Sequence, residues 1–193
     1  MADFQAALQR TLVHEGGYVR DPKDRGGETY KGIARRFNQG WEGWARIDRA
    51  KRARGFPRNL ESDATLQAAV GALYKQHYWD KFQGDALPDQ SVAEELFDTA
   101  VNLGVGRAVE FLQRALNVLN REAALYDDLV TDGLFGRKSL AALRAYLKND
   151  KPETLLKVLN VLQGMHYVNY MTQSPEQEKF ARGWFKRVTL DVA

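Results

Sequence analysis

Apolar residues recur at helical spacing along most of the chain. Leu66, Ala69, Val70, Leu73, Tyr74 and His77 fall at intervals of three and four, which predicts a helix over residues 63–78 with one core-facing stripe. Ala108, Phe111, Leu112, Ala115, Leu116 and Leu119 repeat the pattern over 107–120. Residues 91–103 carry apolar side chains on several sides, as a central helix does. Further helices are predicted over residues 4–14, with Asp3 as N-cap, over 33–38 and over 139–147. Another runs from Pro152, which suits a first helical turn, to Tyr170, and a short one holds Trp184 and Phe185. The rhythm breaks between residues 16 and 33, where Gly16, Gly17, Gly26, Gly27, Gly32 and Pro22 predict a tight loop or short hairpin. Residues 41–57 read as part helix and part loop. The fold class is therefore mainly α: a helical bundle around a central helix, with a small β-hairpin or loop near residues 17–33. Gly104 and Gly106 mark a soft boundary between a lobe over residues 1–103 and a helical lobe over 104–193, expected to pack on each other.

Composition narrows the function classes. The 193 residues are 44% hydrophobic and 27% charged, enough for one compact domain or two small lobes. No run approaches the roughly 18 apolar residues a membrane span needs, so stable membrane insertion is not expected. The chain has no cysteine, which excludes thiolate nucleophiles, disulfides and Cys-based zinc sites. The start MADFQAALQR lacks a basic segment followed by an apolar one, so the expected location is the cytoplasm until release to the cell wall. Net charge is +3, unevenly placed. Arg46, Arg49, Lys51, Arg52, Arg54 and Arg58 lie close together with Asp48 as the only acid among them. Such a stretch suits a polyanionic partner or an ordinary solvated surface. No nucleic-acid motif accompanies it, so no nucleic-acid partner is expected. Three scattered histidines give no metal-ligand spacing, and neither metal nor cofactor is expected.

The chemistry centres on Glu15. A helix turns about 100° per residue, which puts Glu15 within roughly 20° of Phe4, on the side of the apolar stripe. It also falls at the helix C-terminus, the negative pole of the dipole. Partial desolvation and the dipole both disfavour a carboxylate there and favour the protonated acid that glycosidic bond cleavage requires. The alternative is a glutamate fraying into solvent. The loop beyond carries Asp21, Asp24, Glu28 and Thr29, and its glycines let it turn back past the helix end. A second carboxylate and a hydroxyl facing Glu15 across a cleft would hold a water or steady an oxocarbenium-like sugar. Asp side chains capping turn amides are the competing reading.

The motif Glu15-Gly16-Gly17-Tyr18, Asp21-Pro22, Asp24, Gly26-Gly27, Thr29 and Gly32-Ile33 resembles the signature of glycoside hydrolase family 108, lysozyme-like muramidases of bacteria and phages. Residues 74–79 (YKQHYW) and 97–104 (FDTAVNLG) resemble further elements of that family. Residues 111–117 (FLQRALN), with Asp132-Gly133, Gly136 and Ser139-Leu140, resemble its C-terminal region for peptidoglycan binding, with Ser139 where a threonine is usual. The resemblance implies an α+β lysozyme-like fold. It implies Glu15 as catalytic acid and Asp24 and Thr29 as the pair that positions or activates water. It also implies a bacterial peptidoglycan substrate, cleavage of the β-1,4 bond from N-acetylmuramic acid to N-acetylglucosamine, and an endolysin role with holin-dependent release.

Other assignments are open between binding and structure. Tyr18, Tyr78 and Trp79 are candidate sugar-stacking rings or core aromatics. Asn102 is a candidate partner for an N-acetyl group or a helix cap. Asp21 reads as a capping residue, Glu28 as exposed and His77 as a core histidine. The competing functions are a non-catalytic wall-binding protein and a hydrolase of chitin or chitosan.

Overall fold

The computed structural model describes residues 1–13, 15–20 and 27–190. Asp21 and Asp24 lie outside the described residues. By packing, the chain forms two units, one over residues 4–77 and one comprising residues 78–193 together with 1–3.

The first unit opens with α1 (Phe4–Leu12), which buries Phe4, Ala7, Leu8 and Thr11 along one stripe. It ends two residues earlier than the periodicity predicts, and the Glu15 N–H still donates to the Leu12 carbonyl. The glycine-rich stretch is a sheet. Strands β1 (Tyr18–Arg20), β2 (Glu28–Tyr30) and β3 (Ile33–Ala34) pair antiparallel in that order. Tyr18 faces Tyr30 and Val19 faces Thr29 across one ladder; Thr29 faces Ala34 and Tyr30 faces Ile33 across the other. The helix predicted over 33–38 is thus a strand followed by turns. Lys31 and Gly32 form a two-residue loop with φ of 44° and 74°. Two successive positive φ angles match the right-handed twist of a hairpin and override the weak 3.6-residue rhythm of Ile33 and Phe37. Phe37 is left 73% exposed.

Helices α2 (Gly43–Ala50) and α3 (Ala64–His77) complete this unit. Trp44 and Ile47 of α2 and Leu66, Ala69, Val70 and Tyr74 of α3 are buried, each large apolar side chain stabilising by about 1.5–3 kcal/mol. Asp63 caps α3, accepting from the Leu66 N–H at 3.0 Å. His77, read as a core residue, is exposed at the helix end.

The second unit is helical. Its centre is α4 (Gln90–Leu103), capped by Asp89, whose Oδ1 accepts from the Val92 N–H at 2.9 Å. It packs against α5 (Val105–Val118) and α7 (Pro152–Gln173) through Val92, Leu96, Phe97, Leu112, Leu116 and Leu159, all nearly inaccessible. The helices α6 (Arg137–Asn149) and α8 (Ala181–Trp184) complete it. Gly104, at φ 89°, separates α4 from α5, whereas Gly106 lies inside α5 and breaks nothing. Among the described residues no helix is long and apolar enough to cross a membrane.

Candidate active site

The end of α1 delivers Glu15 to the Lys31–Gly32 loop. The half-buried Glu15 carboxylate lies against the Gly32 Cα: a Cβ there would sit 2.7 Å from Glu15 Oε2 and 2.7 Å from the Tyr74 hydroxyl. Only glycine allows this approach, through both its positive φ and its missing side chain. Tyr74 comes from the buried stripe of α3, and its hydroxyl donates to the Lys31 carbonyl at 2.8 Å. The loop is also held from its other side. Lys31 Nζ reaches Glu61 Oε2 at 2.8 Å and Gln67 Oε1 at 2.7 Å, while the Gln67 amide donates to the Tyr30 hydroxyl at 2.9 Å. Burial pushes the Tyr30 hydroxyl up to about 12, so it stays protonated. Helix end, hairpin loop and α3 thus meet at one carboxylate. Thr29, half-buried, sits mid-strand two residues before that loop. The participation of Tyr74 and Gly32 was not legible from periodicity. The usable signal was a tyrosine within the apolar helix stripe.

A second carboxylate has a different setting from the one expected. Glu28, read as exposed, keeps only 11% of its side chain accessible and sits inside a charge clamp. Arg35 Nη1 lies 2.8 Å from its Oε2 and Lys51 Nζ 2.6 Å from its Oε1, and the Tyr18 hydroxyl bonds to it as well. Asp48 closes the clamp, accepting from Arg35 at 2.6 and 2.8 Å and from Lys51 at 2.8 Å. The period-2 alternation of a strand explains the misreading: a charged residue facing inward is compensated by cations distant in sequence. Burial pushes the Glu28 carboxyl up, but the bonds from Lys51, Arg35 and Tyr18 outweigh it and hold it below its ordinary value. Arg35, and then Lys51, hold Asp48 well below the carboxylate range. Both groups therefore favour the folded state while ionised. That contribution is complete above the unfolded carboxylate value of about 4.3 and is lost as pH falls through the lowered folded values. The melting temperature is expected to drop on acidification below about pH 4 more steeply in the wild type than in Glu28→Gln. Equal slopes in the two proteins, followed by circular dichroism, would show that the clamp contributes nothing to folding.

The clamp also accounts for part of the basic stretch. Lys51 belongs to it, and Arg46 binds Asp63 with two nitrogens at 2.8–3.1 Å. Arg49, Arg52, Arg54 and Arg58 face solvent.

The expected sugar-stacking rings divide. Tyr18 shares the sheet with Thr29, but it is half-buried, with its ring edge-on to Phe56 at 4.7 Å and its hydroxyl on Glu28. Trp79, in the second unit, is fully buried, and this corrects the stacking assignment. Its ring packs edge-to-face on Phe82 and Phe97 at 5.6 and 5.7 Å, and its Nε1 donates to Asp85 Oδ1 at 2.7 Å. No face is open to a ligand. Tyr78 beside it is half-buried. Asn102, at the end of α4, accepts through Oδ1 from the Tyr167 hydroxyl at 2.7 Å. Among the described residues no group of three His, Asp or Glu side chains is placed to hold a metal ion.

Helices around a small three-stranded antiparallel sheet make this a mainly α, lysozyme-like fold. Residues 8–104 match the Glycosyl hydrolase 108 family and residues 107–189 match the Predicted Peptidoglycan domain. The chain belongs to the glycosyl hydrolase 108 family and is a peptidoglycan hydrolase. It is also similar to a solved structure, that of Brucella abortus SagA, at 26% identity and a TM-score of 0.60, over 96% of this chain and 88% of the other. No curated protein matches it.

Proposed function

We propose that this hydrolase is an N-acetylmuramidase with Glu15 as general acid. It cleaves the β-1,4 bond between N-acetylmuramic acid and N-acetylglucosamine, in the setting of a phage or prophage endolysin released with the help of a holin. The observation that carries the reading is the Glu15 carboxylate at the Lys31–Gly32 loop, beside the Tyr74 hydroxyl. Glu15 gives its proton to the glycosidic oxygen as the bond to the anomeric carbon breaks. Asp24, helped by Thr29, orients the attacking water or steadies the positive sugar ring, as the signature motif implies. Tyr74 and the hairpin loop act through Glu15 by fixing where its carboxyl sits, the positioning on which much of an enzyme's rate depends. The four solvent-facing arginines of residues 49–58 hold the anionic wall.

Mass spectrometry of digested peptidoglycan tests the bond. Products ending in reducing N-acetylmuramic acid are expected. Products ending in reducing N-acetylglucosamine would assign the neighbouring bond instead. Cleavage of chitin or chitosan in preference to peptidoglycan would replace the substrate.

A further inference from the structure

The unit over residues 4–77 holds a cleft of about 480 Å³ between the turns over residues 37–42 and α3. Its helical wall carries Ala69, Leu73 and Gln76, each about 100–160° round the helix from Tyr74. The cleft therefore opens on a flank of α3 other than the one that meets Glu15 and Gly32.

Trp41 builds the facing wall, and its ring is fixed. Its Nε1 donates to the Ala69 carbonyl at 3.3 Å, which ties the turns to α3. Its backbone N–H donates to the Asn38 carbonyl at 3.1 Å. Gly43 lies so close that a Cβ there would sit 2.3 Å from two of the ring carbons, and Trp44 stands perpendicular to the ring at 5.1 Å. The indole remains half-buried where it borders the cleft, a preformed surface that needs no ordering when a ligand arrives. Phe37 borders the same cleft at 73% exposure. Folding leaves that ring in water, so its apolar area is available to an occupant. The exposed side-chain amides of Gln39 and Gln76 line the space with the two rings. Among the described residues no lysine or arginine lines it, and its ionisable groups are Glu42 and His77. Aromatic rings suit the apolar face of a pyranose, and amides that both donate and accept suit its hydroxyl and acetamido groups. The volume falls within the about 300–1,000 Å³ of small-molecule sites.

We propose that this cleft is a second glycan site, holding a neutral N-acetylglucosamine unit of the wall polymer away from the bond being cut. The inference rests on the chain being a peptidoglycan hydrolase, and not on Glu15 or on which glycosidic bond it cleaves. The Glu42 carboxylate disfavours the lactyl carboxylate of N-acetylmuramic acid and so selects the neutral sugar. A second hold on the same strand keeps the protein on an insoluble polymer between cuts.

Amide NMR spectra of the full chain, wild type and Glu15→Gln in parallel, test it. The probes are chitotetraose, cellotetraose, which lacks the acetamido groups, and free N-acetylmuramic acid. Chitotetraose is expected to shift the signals of residues 37–42 and 69–77 and the Trp41 indole N–H in both proteins. Cellotetraose and N-acetylmuramic acid should shift them less at equal concentration. Phe37→Ala is expected to weaken chitotetraose binding there by about tenfold, since covering the ring supplies much of the contact. Because the ring is exposed, the melting temperature should not move. On whole peptidoglycan the same variant should raise KM and spare kcat, the mark of binding made equally in ground and transition states. Shifts confined to residues 28–32, an equal response to cellotetraose, or unchanged binding by Phe37→Ala would overturn the proposal. The cellotetraose comparison alters no residue, so it holds even if the variant fails to fold. Binding at residues 37–42 by a wild type that releases no reducing sugar would sink the muramidase reading and leave this one standing. Cleavage with no shift there would do the reverse.

Discussion

Glu15→Gln is expected to lower peptidoglycan cleavage by about 10²- to 10⁴-fold, the contribution a positioned general acid makes. Glutamine has nearly the volume of glutamate and fills the same space against Gly32 and the Tyr74 hydroxyl. The variant should therefore fold and bind wall fragments as the wild type does. What it lacks is an acidic proton, so the loss should fall on kcat and spare KM, the pattern of an interaction made only in the transition state. Reducing-sugar release from purified peptidoglycan, together with a melting curve, measures both. Activity near the wild-type level with intact folding would move the acid elsewhere and leave Glu15 a structural residue at a helix end.

Trp79→Ala is expected to destabilise the chain by about 3–5 kcal/mol, the range for emptying a buried aromatic site. The indole is 0% exposed, meets Phe82 and Phe97 edge-on and is bonded to Asp85. The backbone at Gly84 approaches so closely that a Cβ there would overlap the ring. Removing the indole leaves a cavity between rigid walls and takes one hydrogen-bond donor from Asp85. A stable domain commonly has a margin of only about 5–15 kcal/mol, so the denaturation midpoint should move markedly. A sugar platform would behave in the opposite way, with an unchanged midpoint and weaker substrate binding. Chemical denaturation followed by circular dichroism separates the two roles.

These two residues also mark what was legible in the sequence. Long amphipathic helices declared themselves: the stripe Leu66, Ala69, Val70 and Tyr74 is buried as its spacing predicts, because one period and one buried face define a helix. The short strand at Ile33–Ala34 did not, because two residues carry no period. Its signal is the Lys31–Gly32 loop, a matter of φ angles that hydropathy does not encode. Trp79 follows directly on α3, and apolar spacing does not say whether an aromatic beyond a helix end turns inward. Glu28 was misread for a related reason. Its partners Arg35 and Lys51 lie 7 and 23 positions away, and pattern reading along one strand cannot see them. At the candidate site, the motif pointed to Glu15 and Thr29, while the contact of Glu15 with Gly32 and Tyr74 needed the fold. The basic stretch read as one patch, yet Arg46 and Lys51 serve internal carboxylates and only the other four arginines face water.

The Glu28 clamp bears on how this unit responds to heat. Ion pairs through Arg35 tie Glu28 of β2 to Asp48 of α2. Hydration of charged groups becomes less favourable as temperature rises, whereas apolar burial gains little more. The bridge from Glu28 through Arg35 to Asp48 consequently loosens later on warming than a greasy seam of equal strength at room temperature.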